Sequence, residues 1–202
     1  MTPLPDSLLE SVAAAAVREG LADAVFTRLK SPIGKLLVVN GPDGIVRLAF
    51  EEEAEDRALA EVAAALGPRI VASDRELSAE RDALSEYLEG GTNVLDLPYD
   101  LRLMAAPFRH KVLEELHRSV HRGETVTYGE LAARAGNPKA SRAVGSACAR
   151  NPIPIVVPCH RVLPGSGGIG NYGDGPERKR VLLELEGSLP GSLGGGHRAS
   201  PA

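Results

Sequence analysis

The sequence predicts an α+β protein, in which a small N-terminal antiparallel sheet with helices is followed by a mainly helical C-terminal domain with a helix-turn-helix. Two observations lead to this fold class. Three short apolar runs between residues 24 and 50 are separated by turns rich in Gly, Pro and Asn, as expected for strands joined by tight turns. After residue 107, apolar side chains recur at every fourth position, which indicates an amphipathic helix.

The N-terminal half has the pattern of a helix, three strands and two further helices. We expect a helix over residues 7–20, strands at 24–30, 35–39 and 45–50, and helices at 51–66 and 78–88. Because the pattern changes near residue 100, we divide the chain into an N-terminal extension, an α+β domain, a mainly helical domain and a disordered tail. Their predicted bounds are 1–22, 23–103, 104–187 and 188–202.

The C-terminal half contains the predicted helix-turn-helix, which follows a helix over residues 108–120. Thr127 and Glu130 have the spacing of a capping box, with Thr127 as the N-cap and Glu130 at the third helical position. We expect this first short helix to end near residue 135. Asn137 is predicted to cap the second helix, with Pro138 at its first position. Two short helices joined by a Gly-containing turn are typical of a helix-turn-helix.

The second of these helices has one face made of small residues and a single long cation. Ala140, Val144 and Cys148 fall on a stripe that we expect to pack inward. The opposite face carries Arg142, Gly145, Ser146 and Ala149. Such a face permits close approach to a grooved partner, but small residues also serve tight helix–helix packing, and the sequence leaves both alternatives open.

Beyond this helix, the extended apolar segment 153–158 leads to Cys159 and His160. A Gly-rich loop occupies residues 164–175, and a last helix is expected over residues 176–185. Three of its side chains are predicted to face inward: Val181, Leu182 and Leu185.

The composition excludes several classes of protein. The chain has 202 residues, a net charge of −4 and two cysteines, too few for a disulfide scaffold or a structural zinc site. No apolar run approaches the ~20 residues that span a bilayer, and the N-terminus lacks the basic region of a secretory signal. We therefore expect a cytoplasmic protein that does not insert in membranes. Basic residues outnumber acidic ones only in the C-terminal half, the sign that a phosphate backbone attracts.

Cys159 and His160 are the candidate catalytic pair. Adjacent strand residues point to opposite faces, so the two side chains form a direct dyad only if the chain turns there; otherwise a water must relay the proton. A carboxylate is expected behind the histidine; Glu186 is the candidate, and Glu184 is the alternative. Neighbouring residues make poor paired zinc ligands, so we expect no metal and no cofactor. Cys148, on the inward stripe, is expected to be an unreactive structural thiol.

These residues resemble a known family. The run from Asn151 to Val162, with its central Pro-Cys-His-Arg-Val, is similar to the active-site signature of the O6-alkylguanine-DNA alkyltransferases. Residues 127–132, 142–145 and 170–172 match other blocks of that family in the same order. The resemblance is dense from residue 108 to residue 187 and loose over residues 24–100.

The resemblance implies a single-turnover DNA repair protein that moves an alkyl group from guanine to its own Cys159. The partner would be double-stranded DNA, bound through the minor groove by a monomer with base flipping, and residues 104–187 would be the DNA-binding and catalytic domain. Arg142 would enter the base stack, with Gly145 and Ser146 close to the groove, and Tyr128 would protonate the leaving guanine. Asn151 would brace the active-site segment. The pocket would be lined by Tyr172, Gly173 and the carbonyls of Cys159 and Val162.

Three departures from the family pattern and two rival functions accompany this reading. Leu113 stands where the family often has Trp, and we expect this change only to alter the packing of a structural helix. Gly173 stands where the family often has Ser and Asp174 where it often has Gly, and these two changes affect the shape of the pocket. The rivals are a non-catalytic module that binds alkylated guanine and a cysteine hydrolase. The module would lack the reactive cysteine, whereas the hydrolase would need an oxyanion hole. Repair of O4-alkylthymine is a further possibility that the sequence leaves open.

Overall fold

The computed structural model of the chain describes residues 5–91, 96–173 and 175–189. The helices are α1 (Asp6–Arg18), α2 (Glu55–Leu66), α3 (Ser78–Leu88), α4 (Pro107–Ser119), α5 (Tyr128–Arg134), α6 (Ser141–Ala149) and α7 (Pro176–Leu185). The strands are β1 (Ala24–Ser31), β2 (Gly34–Gly41), β3 (Gly44–Phe50), β4 (Ile70–Ala72), β5 (Val126–Thr127) and β6 (Val162–Leu163). The predicted α+β class is confirmed. None of these helices has the length and apolarity needed to cross a membrane.

The N-terminal sheet has the strand order β3-β2-β1-β4. As predicted, β1, β2 and β3 pair in antiparallel fashion, with Phe26 opposite Val39. The fourth strand was not predicted: β4 runs parallel to β1, with Val25 opposite Val71, so the sheet is mixed. A strand of three residues is too short to show the alternating pattern that predicts strands.

The two faces of this sheet are buried in different ways. One face packs against α2, where Ala58 and Val62 belong to the same apolar cluster as Phe26, Leu37 and Val39. The other face belongs to a larger apolar cluster that continues through α3 into the C-terminal helices. Members of this cluster from both halves of the chain include Leu36, Val38, Leu84, Tyr87, Val112, Leu116, Val144 and Leu182. The candidate site therefore lies on a core that the two halves share.

The helix-turn-helix forms from α5 and α6, with one correction to its second helix. The capping box is present: the Thr127 hydroxyl accepts from the Glu130 amide, and the Glu130 carboxylate accepts from the Thr127 amide. α6, however, begins at Ser141, and Asn137 does not cap it. The Asn137 side chain accepts from the Lys139 amide instead, so this asparagine caps a local turn.

The segment before Cys159 is not the extended strand that its apolar composition predicted. Residues 153–158 form turns with one isolated bridge between Pro154 and Val157, and a 3₁₀ turn follows at Cys159–Arg161. Prolines have no amide hydrogen to contribute to a sheet ladder, and Ile155 adopts a φ of 74°, outside the strand region. The chain therefore turns at Cys159.

The last helix buries Leu182 and packs Leu185 against the core as predicted, but Val181 does not face inward. Val181 is 40% exposed, while Lys179, Leu182, Leu183 and Glu186 are buried. These four positions have the i, i+3, i+4, i+7 spacing of one helical stripe, and two of them are charged. The prediction considered only apolar residues, and it therefore placed Val181 on the buried side of the helix. Of the predicted tail 188–202, all but the first two residues lie outside the described residues.

Candidate active site

A cleft of about 1380 Å³ opens between the N-terminal sheet and the segment that carries Cys159. Six of the candidate residues line this cleft: Tyr128, Gly145, Asn151, Cys159, Tyr172 and Gly173. Residues 48–54 of the N-terminal half form part of the opposite wall. The other candidates lie behind the cleft wall or on the surface of α6.

The Cys159 thiol lies at the inner end of this cleft and is held by Asn151. The Asn151 side-chain amide donates to Cys159 Sγ at 3.2 Å and to the Val157 carbonyl at 2.8 Å. Its oxygen accepts from the Ile153 amide at 3.0 Å. Burial raises the pKa of the Cys159 thiol, whereas the hydrogen bond from Asn151 and the charge of Lys179 act to lower it. Asn151 thus holds in place both the turn at residues 153–157 and the sulfur of Cys159.

His160 points away from the cleft into the core and pairs with Glu186. Its Nε2 lies 3.2 Å from Glu186 Oε1, with both side chains withdrawn from solvent. Because the Glu186 carboxylate can only accept, Nε2 carries the hydrogen and Nδ1 is left as the basic nitrogen. Nδ1 has no hydrogen-bond partner among the described residues. Burial lowers the pKa of His160, and Glu186 opposes that effect.

Arg161 completes the buried cluster around this carboxylate. Its Nε and Nη2 donate to the two oxygens of Glu186 at 2.8 Å and 2.7 Å, and its Nη1 donates to the Val120 carbonyl at 2.7 Å. Burial alone would raise the pKa of Glu186, but hydrogen bonds from His160 and Arg161 hold it well below its usual range. The full burial of Arg161 was not predicted from the sequence.

Lys179 is a functional candidate that sequence reasoning missed. It is almost completely buried, and its Nζ donates to the Val162 carbonyl at 2.7 Å. Burial lowers the pKa of this lysine, and the nearby thiols of Cys159 and Cys148 act against that effect. The stripe spacing from Lys179 to Glu186 on α7 was the signal that could have identified it.

Tyr128 and Tyr172 form the aromatic part of the site. Burial raises the pKa of Tyr128, and a Cβ atom added at Gly145 would lie 3.9 Å from its ring. The Tyr172 ring stands edge-on to that of His160, with centroids 6.3 Å apart. Its buried hydroxyl has no hydrogen-bond partner among the described residues. A side-chain methyl group at position 145 would therefore make only ordinary van der Waals contact with the Tyr128 ring.

The surface of α6 carries the remaining candidates. Arg142 is exposed, while Gly145 and Ser146 are partly buried. Cys148 packs against the core as predicted, but it also lines the same cleft as Cys159, which its place on the inward stripe did not predict. Burial raises the pKa of the Cys148 thiol.

The chain resembles known proteins over most of its length. Residues 107–188 match the DNA-binding domain of 6-O-methylguanine DNA methyltransferase, and residues 24–101 match its ribonuclease-like domain. A Haemophilus influenzae methylated-DNA–protein-cysteine methyltransferase is 35% identical over 80% of this chain and 85% of its own length. The Mycobacterium bovis protein of that name is 47% identical over 52% of this chain, a match that spans 62% of the relative.

A solved structure agrees with these sequence matches. The crystal structure of Mycobacterium tuberculosis OGT in complex with DNA superposes with a TM-score of 0.69 at 35% identity, covering 81% of this chain and 93% of that one. Both halves of the fold are therefore shared with that protein. From the two matched domains and the relatives that align with both, the chain belongs to the 6-O-methylguanine DNA methyltransferase family.

Proposed function

We propose that this protein repairs DNA directly by transferring an alkyl group from O6 of guanine to Cys159 Sγ. The observation that carries this proposal is the Cys159 thiol at the inner end of an open cleft, with the buried His160–Glu186 pair directly behind it. Membership of the family supports the same chemistry. The protein would act as a monomer in the cytoplasm, without metal or cofactor.

The proton of the thiol would pass through a water molecule to His160 Nδ1, the basic nitrogen of that ring. The thiolate is the reactive form of cysteine, and the imidazolium formed in this step is stabilised by Glu186. Arg161 and Tyr87 hold that carboxylate in place. Because burial disfavours both charges, the ion pair is a minor form until substrate fills the cleft.

Alkyl transfer would be an in-line displacement at the alkyl carbon. The bond from Sγ to carbon forms as the bond from carbon to O6 breaks, and the electron pair of the broken bond remains on guanine. Tyr128 would donate its proton to the guanine ring, because a neutral base leaves more easily than an anion. His160 then releases its proton to solvent and Tyr128 takes one up from solvent, so the net transfer is of one proton from the thiol to guanine. The thioether product is stable to hydrolysis, so each molecule would react once.

DNA would bind to the α5–α6 unit through the minor groove. Arg142 is exposed on α6 and would occupy the space that the flipped guanine leaves in the base stack. Gly145 and Ser146 on the same helix would allow the backbone to approach the groove. The relative in the superposed crystal structure was crystallised with DNA, which supports this partner.

The flipped guanine would enter the cleft beside Tyr172 and Gly173. The carbonyls of Cys159 and Val162 would accept hydrogen bonds from its exocyclic amine. Val162 already accepts from Lys179 Nζ, and a carbonyl oxygen has a second lone pair for the base. Asn151 would keep these carbonyls in position through its bonds to Val157 and Ile153.

Intact mass spectrometry tests this proposal against its rivals. The protein is mixed with a duplex that contains O6-methylguanine, and a single mass gain of one methylene equivalent is expected. Retained binding without a gain would instead indicate a recognition module, and neither binding nor gain would indicate a cysteine hydrolase. A duplex with O4-methylthymine, run in parallel, tests the second substrate.

A further inference from the structure

A tyrosine from the N-terminal half reaches the carboxylate behind the candidate nucleophile. Tyr87 lies on α3, and its buried hydroxyl donates to Glu186 Oε1 at 2.6 Å. The same oxygen lies 3.2 Å from His160 Nε2, and the Tyr87 oxygen lies 3.5 Å from that nitrogen. Tyr87 and His160 therefore direct their hydrogens to one acceptor atom.

Tyr87 can act on this cluster only as a hydrogen-bond donor. Burial and the adjacent negative charge of Glu186 raise the pKa of Tyr87 far above its usual range, so its hydroxyl keeps its proton. Glu186 stays ionised and can only accept. The guanidinium of Arg122 lies 5.4 Å from the centre of the Tyr87 ring, and this contact fixes the ring while the hydroxyl points at the carboxylate.

We propose that Tyr87 is a positioning residue of the proton path: its hydroxyl holds Glu186 Oε1 and limits how strongly the carboxylate's charge acts on His160. A donor to a charged acceptor spreads that charge, so less of it remains to stabilise an imidazolium. The inference rests on the proposed transfer of a proton from Cys159 to His160. It gives the N-terminal half an indirect part in the chemistry, exerted through Glu186.

Several other side chains also interact with His160, Glu186 or Cys159, and their effects add to that of Tyr87. Arg161, from the 3₁₀ turn, binds both Glu186 oxygens. Lys179, from α7, acts on both His160 and Cys159, and the Tyr172 ring contacts His160. All of these remain when only the Tyr87 hydroxyl is removed. Since that hydroxyl is neutral, its removal changes the hydrogen bonding of Glu186 without changing the net charge of the site.

The expected effect has a definite sign. Burial holds the Cys159 thiol and the His160 ring in their neutral forms, so the thiolate–imidazolium pair is a minor species that grows as His160 becomes more basic. Tyr87→Phe leaves more negative charge on Glu186 facing His160. This charge raises the pKa of His160, and we expect the thiolate population near neutral pH to increase about threefold.

The experiment measures the rate at which iodoacetamide alkylates Cys159 near pH 7 in the full chain, located by peptide mapping. Tyr87→Phe is expected to react about threefold faster than wild type. Replacing Tyr87 with 3-fluorotyrosine, a stronger donor of nearly the same shape, is expected to slow the reaction. Tyr99→Phe is the matched control, since Tyr99 is half-buried and its ring contacts His117, outside the cluster.

The two variants at position 87 separate electrostatic tuning from packing. An unchanged or slower rate in Tyr87→Phe, or equal rates for tyrosine and fluorotyrosine, would overturn the role assigned to Tyr87. The Glu186→Gln variant distinguishes a failure of this inference from a failure of the proposed function. It removes the negative charge of the carboxylate, so we expect the alkylation of Cys159 to slow strongly. If Glu186→Gln has no effect, the proton path is wrong; if it slows the reaction while both position-87 variants match wild type, only the Tyr87 inference is wrong.

Discussion

Arg161 binds Glu186 through two parallel hydrogen bonds, with Nε and Nη2 at 2.8 Å and 2.7 Å from the two carboxylate oxygens and both side chains buried. This ion pair ties the 3₁₀ turn that carries Cys159 to the end of α7. A third bond from Arg161 to the Val120 carbonyl extends the connection to the end of α4. The nucleophile therefore stands on a turn that is anchored to two helices from beneath.

Arg161→Ala is expected to destabilise the protein by about 3–5 kcal/mol, because it leaves the carboxylate of Glu186 buried without its main partner. Urea unfolding followed by circular dichroism measures the change. Arg18→Ala is the control: Arg18 forms an exposed ion pair with Glu19 at the end of α1, and such pairs contribute about 0–1 kcal/mol. Similar losses in the two variants would contradict the anchoring role of Arg161.

Acid stability should depend on Glu186. Since hydrogen bonds from His160 and Arg161 hold its pKa well below the ordinary value in the folded protein, the unfolded chain takes up this proton first as the pH falls. Glu186 therefore contributes stability above about pH 4.5, and that contribution is lost on further acidification. Unfolding free energies of wild type and Glu186→Gln between pH 3 and pH 7 should converge toward low pH. A gap that stays constant with pH would show that folding does not shift the pKa of Glu186.

Arg142→Ala is expected to reduce alkyl transfer from duplex DNA by at least about tenfold, while transfer from free O6-benzylguanine changes little. The reason is that, in the proposed mechanism, Arg142 acts on the base stack and takes no part in the displacement. Single-turnover rates on the two substrates measure the split. Arg180→Ala, which removes an exposed arginine from α7, is the control for loss of one positive charge, and equal losses on both substrates would argue against the role of Arg142.

The two cysteines should differ sharply even though both line the cleft. Cys159→Ala is expected to abolish transfer and to leave DNA binding largely intact, whereas Cys148→Ala should still react with one equivalent of substrate. Burial raises the pKa of both thiols, but Cys159 Sγ also accepts a hydrogen bond from Asn151 that acts to lower its pKa, and the His160–Glu186 pair adjoins it in the chain fold. Peptide mapping of the reacted protein identifies the acceptor, and an alkyl group on Cys148 would refute the assignment.

Local patterns in the sequence predicted local structure well. The capping box at Thr127 and Glu130 forms as expected because its two hydrogen bonds join residues three positions apart. The bounds predicted for α3 and α7 also agree with the structure. Two predictions failed because another local interaction competed with the predicted one. Asn137 accepts a hydrogen bond from a nearby backbone amide instead of capping α6. The prolines of residues 152–158 prevent this apolar run from adopting strand geometry.

The sequence by itself determined the α+β class, the helix-turn-helix and the family, because these follow from periodicity and from motifs contiguous along the chain. Only the tertiary structure decided which charges meet beneath Cys159. Tyr87 and Glu186 lie 99 positions apart, and Lys179 is a buried cation on a helix whose apolar residues suggested another inward face. Such contacts depend on how α3 and α7 pack on a shared core. A charged group can be buried there only where its hydrogen-bonding and ionic partners come together.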